Sequence, residues 1–366
     1  MKKKMSKRKI FCIVGAAVIL AAAALLYWGW DRPLGGVTLL SPASKEELWL
    51  VNQNMREYME LPEEDIRKIS LYSDGKSEHY APEPVVFTWE GDSDGYVLYL
   101  SRKSNFKDAM RWETDACSYS VDNLQVGTKY YWKVLSLDGE KGSETRTFTT
   151  AENQPRTVQI DGVNNTRDLG GYKTADGRRI RQGIVYRGAS LKYITEAGAQ
   201  AFEEGLGIKT ELDLTGGTES SEILSVRKEF QSITWYDNIF REEQYREATK
   251  NALLLFTEEA NFPIYFHCAL GRDRTGTLAF MLLGLCGCEK ETLYKEYMLT
   301  YFSSRGDTDG SGTAGMLSNI DNLYYGFRMY RNKDWSLADN IEAYMQDLGL
   351  TEENIKSIRA NLTEKI

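Results

Sequence analysis

The chain has 366 residues, 42% of them hydrophobic and 12% aromatic, which is enough for about two folded domains. A net charge of −8, with the dense basic residues confined to the N-terminus, argues against a nucleic-acid binder, which would carry a basic stripe on its folded part. Two histidines, His79 and His267, exclude a histidine-built metal site, and five irregularly spaced cysteines do not make a disulfide framework.

Residues 1–9 form a basic tail with Lys2, Lys3, Lys4, Lys7, Arg8 and Lys9. The uncharged apolar run 10–30 that follows has roughly the 20 residues a membrane-crossing helix needs. Its basic flank predicts a cytoplasmic tail and an extracytoplasmic remainder, with Tyr27, Trp28 and Trp30 as the interfacial belt. The competing reading is a signal peptide cleaved near Ala21 to Ala24, which would give a secreted protein; the apolar run continues past those alanines. The expectation is a single-pass cell-membrane protein. A free thiol nucleophile outside the cytoplasm is exposed to oxidation, which stands in tension with that location.

After the breaker Pro33-Leu34-Gly35-Gly36, residues 44–70 read as helical, interrupted at Pro62. From Pro84 the texture changes to strands: Val85 to Trp89, Tyr96 to Leu100, Tyr130 to Val134 and Thr145 to Thr149, separated by Gly and Asp turns. That pattern predicts an all-β sandwich. Tyr130-Tyr131-Trp132-Lys133-Val134 followed by a turn and Phe148-Thr149-Thr150 resembles a fibronectin type III or related immunoglobulin-like module. The resemblance covers 34–150, so 31–152 is expected as one domain with a helical insertion. Such modules position or bind, and the partner is not legible.

From 153 to 366 helices and strands alternate. Helices are predicted over 195–204, 252–260 and 275–285, and strands over 208–214 and 264–266, giving an α/β domain with a mostly parallel central sheet. The strand 264–266 runs directly into His267-Cys268-Ala269-Leu270-Gly271-Arg272-Asp273-Arg274-Thr275-Gly276 and then a helix. A strand, a tight loop and a helix N-terminus aim backbone N–H groups at one point, which suits a phosphate. Ala269, Leu270, Gly271, Arg272, Asp273 and Arg274 are the expected phosphate binders, with Arg274 gripping two oxygens through its planar fork. The same field favours the thiolate of Cys268, the expected nucleophile. Thr275 is placed to donate to the sulfur, and His267 to orient the loop by bonding to backbone. A lone Cys-x5-Arg is weak evidence; the whole string between an apolar strand and an apolar helix is strong. Cys286 and Cys288 after that helix read as packing residues, with a resolving thiol as the lesser alternative.

This string resembles the active-site loop of cysteine-based tyrosine phosphatases, and more narrowly the bacterial tyrosine and lipid phosphatases with His-Cys-x-x-Gly-Lys-Asp-Arg-Thr-Gly. Asn165-Thr166-Arg167-Asp168-Leu169-Gly170-Gly171, Gly183-Ile184-Val185-Tyr186-Arg187-Gly188 and the strand Ile208 to Leu214 are similar to that family's other motifs, as is the closing stretch from Ile341 to Leu350. The resemblance covers 155–366. Arg272 departs from the usual Lys, Thr166 from an aromatic residue, and Thr215 from an Arg. The resemblance implies Asp273 as general acid, a placement shared with phosphoinositide phosphatases of the myotubularin type, and Asp213 as a second carboxylate of the site. Asp168 and Arg167 are expected to brace the loop. Arg272 is expected to add positive charge at the pocket mouth and so to favour polyanionic substrates. No cofactor is implied. The substrate implied is a phosphotyrosine protein or a small phosphorylated molecule, the reaction phosphomonoester hydrolysis with broad tyrosine-phosphatase specificity. The alternatives are an inositol polyphosphate or phosphoinositide phosphatase, a catalytically dead surface binding protein, and arsenate reduction on the same loop.

Overall fold

The computed structural model describes residues 35–366, which divide into two compact units. The tail 1–9 and the expected anchor 10–30 lie outside the described residues. Among those described, no helix is long and apolar enough to cross a membrane.

Among the described residues, the first unit comprises 35–48 together with Val85–Val121 and Thr128–Thr149. It holds β1 (Val37–Ser41), β2 (Glu46–Leu48), β3 (Val85–Gly91), β4 (Tyr96–Ser101), β5 (Met110–Thr114), β6 (Ser118–Val121), β7 (Lys129–Ser136) and β8 (Arg146–Thr150). They form a three-stranded sheet β1-β3-β6 and a five-stranded sheet β2-β8-β7-β4-β5. Alternation drives the burial. Phe87 and Trp89 on β3 point inward while Val86 points out, and β7 contributes Tyr130, Trp132 and Val134. Phe87 meets Trp132 edge-on at 5.0 Å, and Tyr130 stacks on Phe148 at 5.3 Å. The strands expected over 85–89, 96–100, 130–134 and 145–149 are present; β1, β2, β5 and β6 were not expected, β2 lying within the segment expected to be helical, and the side chains of β5 and β6 are mostly exposed or half-buried.

The second unit comprises Trp49–Pro84, Asp122–Gly127 and Thr150–Ile366. The helical segment expected as an insertion of the sandwich therefore belongs here. Helix α1 (Gln53–Met59), capped by the Asn52 side chain, and the 3-10 stretch Glu63–Leu71, entered at Pro62, account for the predicted break. The physical reason for the reassignment is the apolar face. Met55, Tyr58, Ile66 and Ile69 are buried in the core that also contains Phe266, Leu282 and Phe302.

The sheet of this unit has six strands in the order β14-β13-β15-β12-β10-β9. These are β9 (Arg156–Thr157), β10 (Arg167–Asp168), β12 (Val185–Gly188), β13 (Thr210–Asp213), β14 (Arg227–Phe230) and β15 (Ile264–His267), while β11 (Arg178–Ile180) pairs outside this sheet with β16 (Thr363–Lys365). The pairs β14/β13, β13/β15 and β15/β12 are parallel, and β12/β10 and β10/β9 antiparallel, so the mostly parallel centre is as expected. Helices α2 (Glu196–Gln200), α3 (Arg246–Leu254), α4 (Asp273–Leu285), α5 (Lys290–Met298), α6 (Gly312–Arg328), α7 (Leu337–Asp347) and α8 (Glu352–Leu362) complete it. Helix α4 is buried at every residue from Thr275 to Leu285. Its apolar run from Leu278 to Leu285 makes it the central helix, and this fixes its N-terminus at the end of β15.

Candidate active site

Where parallel strands end, their carboxyl termini open a crevice that helix N-termini face, the usual ligand position in an α/β sheet. Strand β15 ends at His267, and α4 begins at Asp273. The intervening turn is held open by three contacts from outside. The Ala269 carbonyl accepts from the Ser190 N–H at 3.3 Å, the Leu270 carbonyl from Asn165 Nδ2 at 3.1 Å, and the Gly271 carbonyl from Arg187 Nη2 at 2.6 Å. Across a planar peptide the carbonyl and the next N–H point in opposite directions. Pinning these carbonyls outward turns the amides of Leu270, Gly271 and Arg272 inward. Among the described residues, the N–H groups of 269–275 have no protein acceptor; the first to find one is Gly276, on the Arg272 carbonyl at 2.8 Å. A ring of unpaired donors in a turn that opens to solvent only at Ala269 and partly at Leu270, Asp273 and Arg274 is an anion site. Gly271 is required for two reasons. Its φ is +67°, and a Cβ there would lie 2.4 Å from the Gly188 carbonyl.

Cys268 sits at the start of this turn, 2% exposed. Arg274 is oriented by its Nε, which donates to the Ile233 carbonyl at 2.9 Å, and by the Trp235 ring 4.4 Å beneath its guanidinium. That orientation leaves its terminal nitrogens for a ligand. Asp273 is partly exposed, and its Oδ1 accepts from Tyr236 Oη and from Arg272 Nε at 2.9 Å. Tyr236 Oη also meets Tyr297 Oη at 2.6 Å. Burial, then the neighbouring Tyr297 and Asp273, push the Tyr236 phenol well above its ordinary value, so it stays a proton donor to the carboxylate.

Arg272 requires a correction. It is 5% exposed, and its fork is consumed by Asp273, the Gly306 carbonyl at 3.0 Å and Asp309 at 2.9 Å. It is a neutralised strut and not a free charge at the pocket mouth. Asp213 is fully buried. Its Oδ1 accepts from the N–H and hydroxyl of Thr215, and its Oδ2 from the Glu219 N–H at 2.9 Å. Those bonds hold the loop after β13. His267 does not bond to backbone; its Nε2 lies 3.1 Å from Glu211 Oε1 on the adjacent strand, both side chains fully buried. The Thr275 hydroxyl is buried with no hydrogen-bond partner. Cys286 and Cys288 are buried free thiols, Cys286 pushed up to about 12 by burial.

Arg167 acts through a network that motif reading missed. Its Nε donates to Glu296 Oε1 at 2.7 Å and its Nη1 to Asn165 Oδ1 at 2.7 Å. Glu296 Oε2 takes Arg187 Nη1, also at 2.7 Å. One buried carboxylate thus fixes two buried guanidiniums, and through Asn165 and Arg187 each reaches a carbonyl of the phosphate loop. Asp168 lies further off, holding Arg156 at 2.6 Å and the N–H groups of Gly170 and Gly183. Burial raises its carboxyl, opposed by Arg156. Arg187 stands in a motif legible in the sequence; Glu296 and Tyr236 carry no local signal.

A protein of Cupriavidus necator that bears a provisional tyrosine-protein phosphatase name is 27% identical over 171 residues, a match spanning 38% of this chain and 62% of that relative. Among solved structures, the core catalytic domain of the PP-IP phosphatase SIW14 from S. cerevisiae, determined with citrate, aligns at 15% identity. That alignment covers 46% of this chain and 93% of the other at a TM-score of 0.29, a level that says nothing about substrate. The sequence profile of the tyrosine phosphatase family matches residues 158–364, more than half of the chain and the whole of the site described above, and the chain belongs to that family.

Proposed function

We propose that the chain hydrolyses phosphate monoesters through a phosphocysteine intermediate, as a tyrosine phosphatase of broad specificity. The observation that carries this is the turn 269–275, whose carbonyls are tied outward and whose amides are left without protein acceptors beside Cys268 and Arg274. In the first step the Cys268 sulfur attacks phosphorus and the P–O bond to the leaving group breaks. Asp273 gives that oxygen its proton. In the second step Asp273 takes a proton from water, the water oxygen attacks phosphorus, the S–P bond breaks, and inorganic phosphate leaves. Arg274 and the amides hold the equatorial oxygens throughout, supplying charge where it develops. Asp213 braces the loop after β13 and takes no part in proton transfer.

Phosphotyrosine is the preferred substrate class on family membership. The buried, paired state of Arg272 removes the reason for favouring inositol phosphates or phosphoinositides. For the first unit, a fibronectin type III-like module is supported by its strand order, a three-stranded sheet opposite one built around β7 and β4. A single-pass anchor at 10–30 with both units outside the cytoplasm rests on sequence pattern alone. The test of the chemistry is Cys268→Ser on a panel of aryl phosphate, phosphotyrosine peptide and inositol phosphate. Turnover should vanish on all of them, and activity that survives and resists thiol alkylation overturns the mechanism.

A further inference from the structure

Residues 73–80 lie far outside the family's matched span of 158–364. They nevertheless run alongside 300–307. Ser73 Oγ donates to the Tyr301 carbonyl at 2.6 Å, the Asp307 N–H to the Gly75 carbonyl at 2.8 Å, and the His79 N–H to the Phe302 carbonyl at 2.8 Å. Gly75, at φ +69°, allows the approach, because a Cβ would lie 2.7 Å from the Tyr301 ring.

At the end of this run the Glu78 carboxylate gathers neutral donors from two segments. Its Oε2 accepts from Asn164 Nδ2 at 2.8 Å, Ser303 Oγ at 3.0 Å, and the Ser304 N–H and Oγ at 3.0 and 3.1 Å. Its Oε1 accepts from the Asn165 N–H at 3.3 Å. Both segments continue to the phosphate loop. Asn165 holds the Leu270 carbonyl, and Gly306 and Asp309 hold Arg272. Asn165 has φ +57°, a left-handed conformation that asparagine adopts more readily than most residues, and Glu78 on its N–H and Arg167 on its side chain hold it there.

We infer that Glu78, from a segment foreign to the family's own span, is a positioning residue for the phosphate loop, tying the turn at Asn164 and Asn165 to that at Ser303 and Ser304. The inference rests on the phosphocysteine reading above. Glu78 is exposed, and an exposed carboxylate contributes little to global stability. Its removal should therefore change catalysis without unfolding the chain.

The test uses the full chain carrying Glu78→Ala or Glu78→Gln, with Cys268→Ser alongside. Turnover of p-nitrophenyl phosphate, competitive inhibition by inorganic phosphate, and the thermal midpoint are measured together. Glu78→Ala should lower kcat about tenfold and weaken phosphate inhibition about tenfold, because small displacements of a preorganised site are costly, while the midpoint stays close to the parent. Glu78→Gln should fall between, since it keeps one acceptor oxygen but turns an amide donor toward the remaining donors. Parental kcat and inhibition in Glu78→Ala overturn the inference, as does a loss that only follows the unfolded fraction. If Cys268→Ser is dead and Glu78→Ala is normal, this inference alone fails. If Cys268→Ser remains active, the phosphocysteine reading fails and this inference falls with it.

Discussion

Replacing Glu296 by Gln should be among the most damaging substitutions away from the nucleophile. The side chain is 3% exposed and stands between Arg167 and Arg187, each with its guanidinium fully buried and 2.7 Å from a different oxygen. Glutamine keeps the shape, supplies one acceptor, and turns an N–H against an N–H at the other position. Two buried cations are then left without a counter-charge. Removing one member of a buried ion pair costs about 3–5 kcal/mol. For a unit of this size each kcal/mol is worth about 2–4 °C of melting temperature, so a drop of roughly 6–20 °C is expected. Arg187→Met supplies the contrast. It leaves Arg167 and Glu296 matched one to one, and burial, followed by the charge of Arg167, already lowers the pKa of Arg187, the less comfortable cation. It should therefore destabilise less than Glu296→Gln. It also frees the Gly271 carbonyl, so its activity loss should exceed what its stability loss explains. The assay is thermal unfolding by circular dichroism together with aryl phosphate turnover well below the transition. A Glu296→Gln protein within about 1 kcal/mol of the parent, or an Arg187→Met protein less stable than it, would refute the reasoning.

Asp273→Asn should slow substrates with poor leaving groups by about 10²–10⁴-fold and activated aryl phosphates far less, since only the former need a proton early. Equal losses on both would make Asp273 a shaping residue. Tyr236→Phe removes the phenol donor to Asp273 and should lower kcat about tenfold on poor leaving groups, read as a leaving-group dependence steeper than the parent's. Arg272→Ala should depress phosphotyrosine and inositol phosphate turnover alike; selective loss on the polyanion would restore a charge at the pocket mouth. Cys286→Ala should leave turnover and its recovery from peroxide unchanged, because burial keeps that thiol protonated and inert. Slower recovery would establish a resolving thiol.

The loop itself was legible because its chemistry is contiguous. A nucleophile, a turn glycine, a guanidinium and a helix start fall within His267 to Gly276, and local sequence dictates local backbone. Its supports were not. Glu296 lies inside a helix whose pattern reads as ordinary, and Tyr236 in a short 3-10 stretch, Tyr236–Phe240, without periodicity. Only packing brings them to the site. Arg272 misled because a sequence shows a charge but not its partners, Gly306 and Asp309, more than thirty positions away. Glu211 carried a missed signal. It is an acidic residue in the middle of the predicted strand Ile208 to Leu214, and a buried carboxylate there needs a partner, which His267 supplies. In the first unit, β5 reads Met-Arg-Trp-Glu-Thr, too charged to announce itself as a strand when no face of it is deeply buried.

The residues 233–236 show why such a site needs more than its motif. The Ile233 carbonyl and the Trp235 ring set the direction of Arg274, and the Tyr236 phenol sets that of Asp273. Neighbouring residues of one short segment thus aim both the phosphate clamp and the proposed acid. Tyr236 has φ +53°, a conformation that costs of order 1–3 kcal/mol for a bulky residue and must be held by something. The Thr277 hydroxyl, one turn into α4, accepts its N–H at 2.8 Å, and Tyr297 meets its phenol. The strained residue is therefore fastened to the same helix that carries Asp273 and Arg274, so the segment and its targets move as one body. A rigid link of that kind keeps acid and clamp in fixed relation to each other, which a segment free to swing would not do. Loss of the Thr277 hydroxyl, as in Thr277→Val, should accordingly lower turnover of activated and poor leaving groups together, because it releases both residues. Asp273→Asn separates the two substrate classes. If Thr277→Val separates them as well, the segment serves the acid alone and the common fastening is wrong.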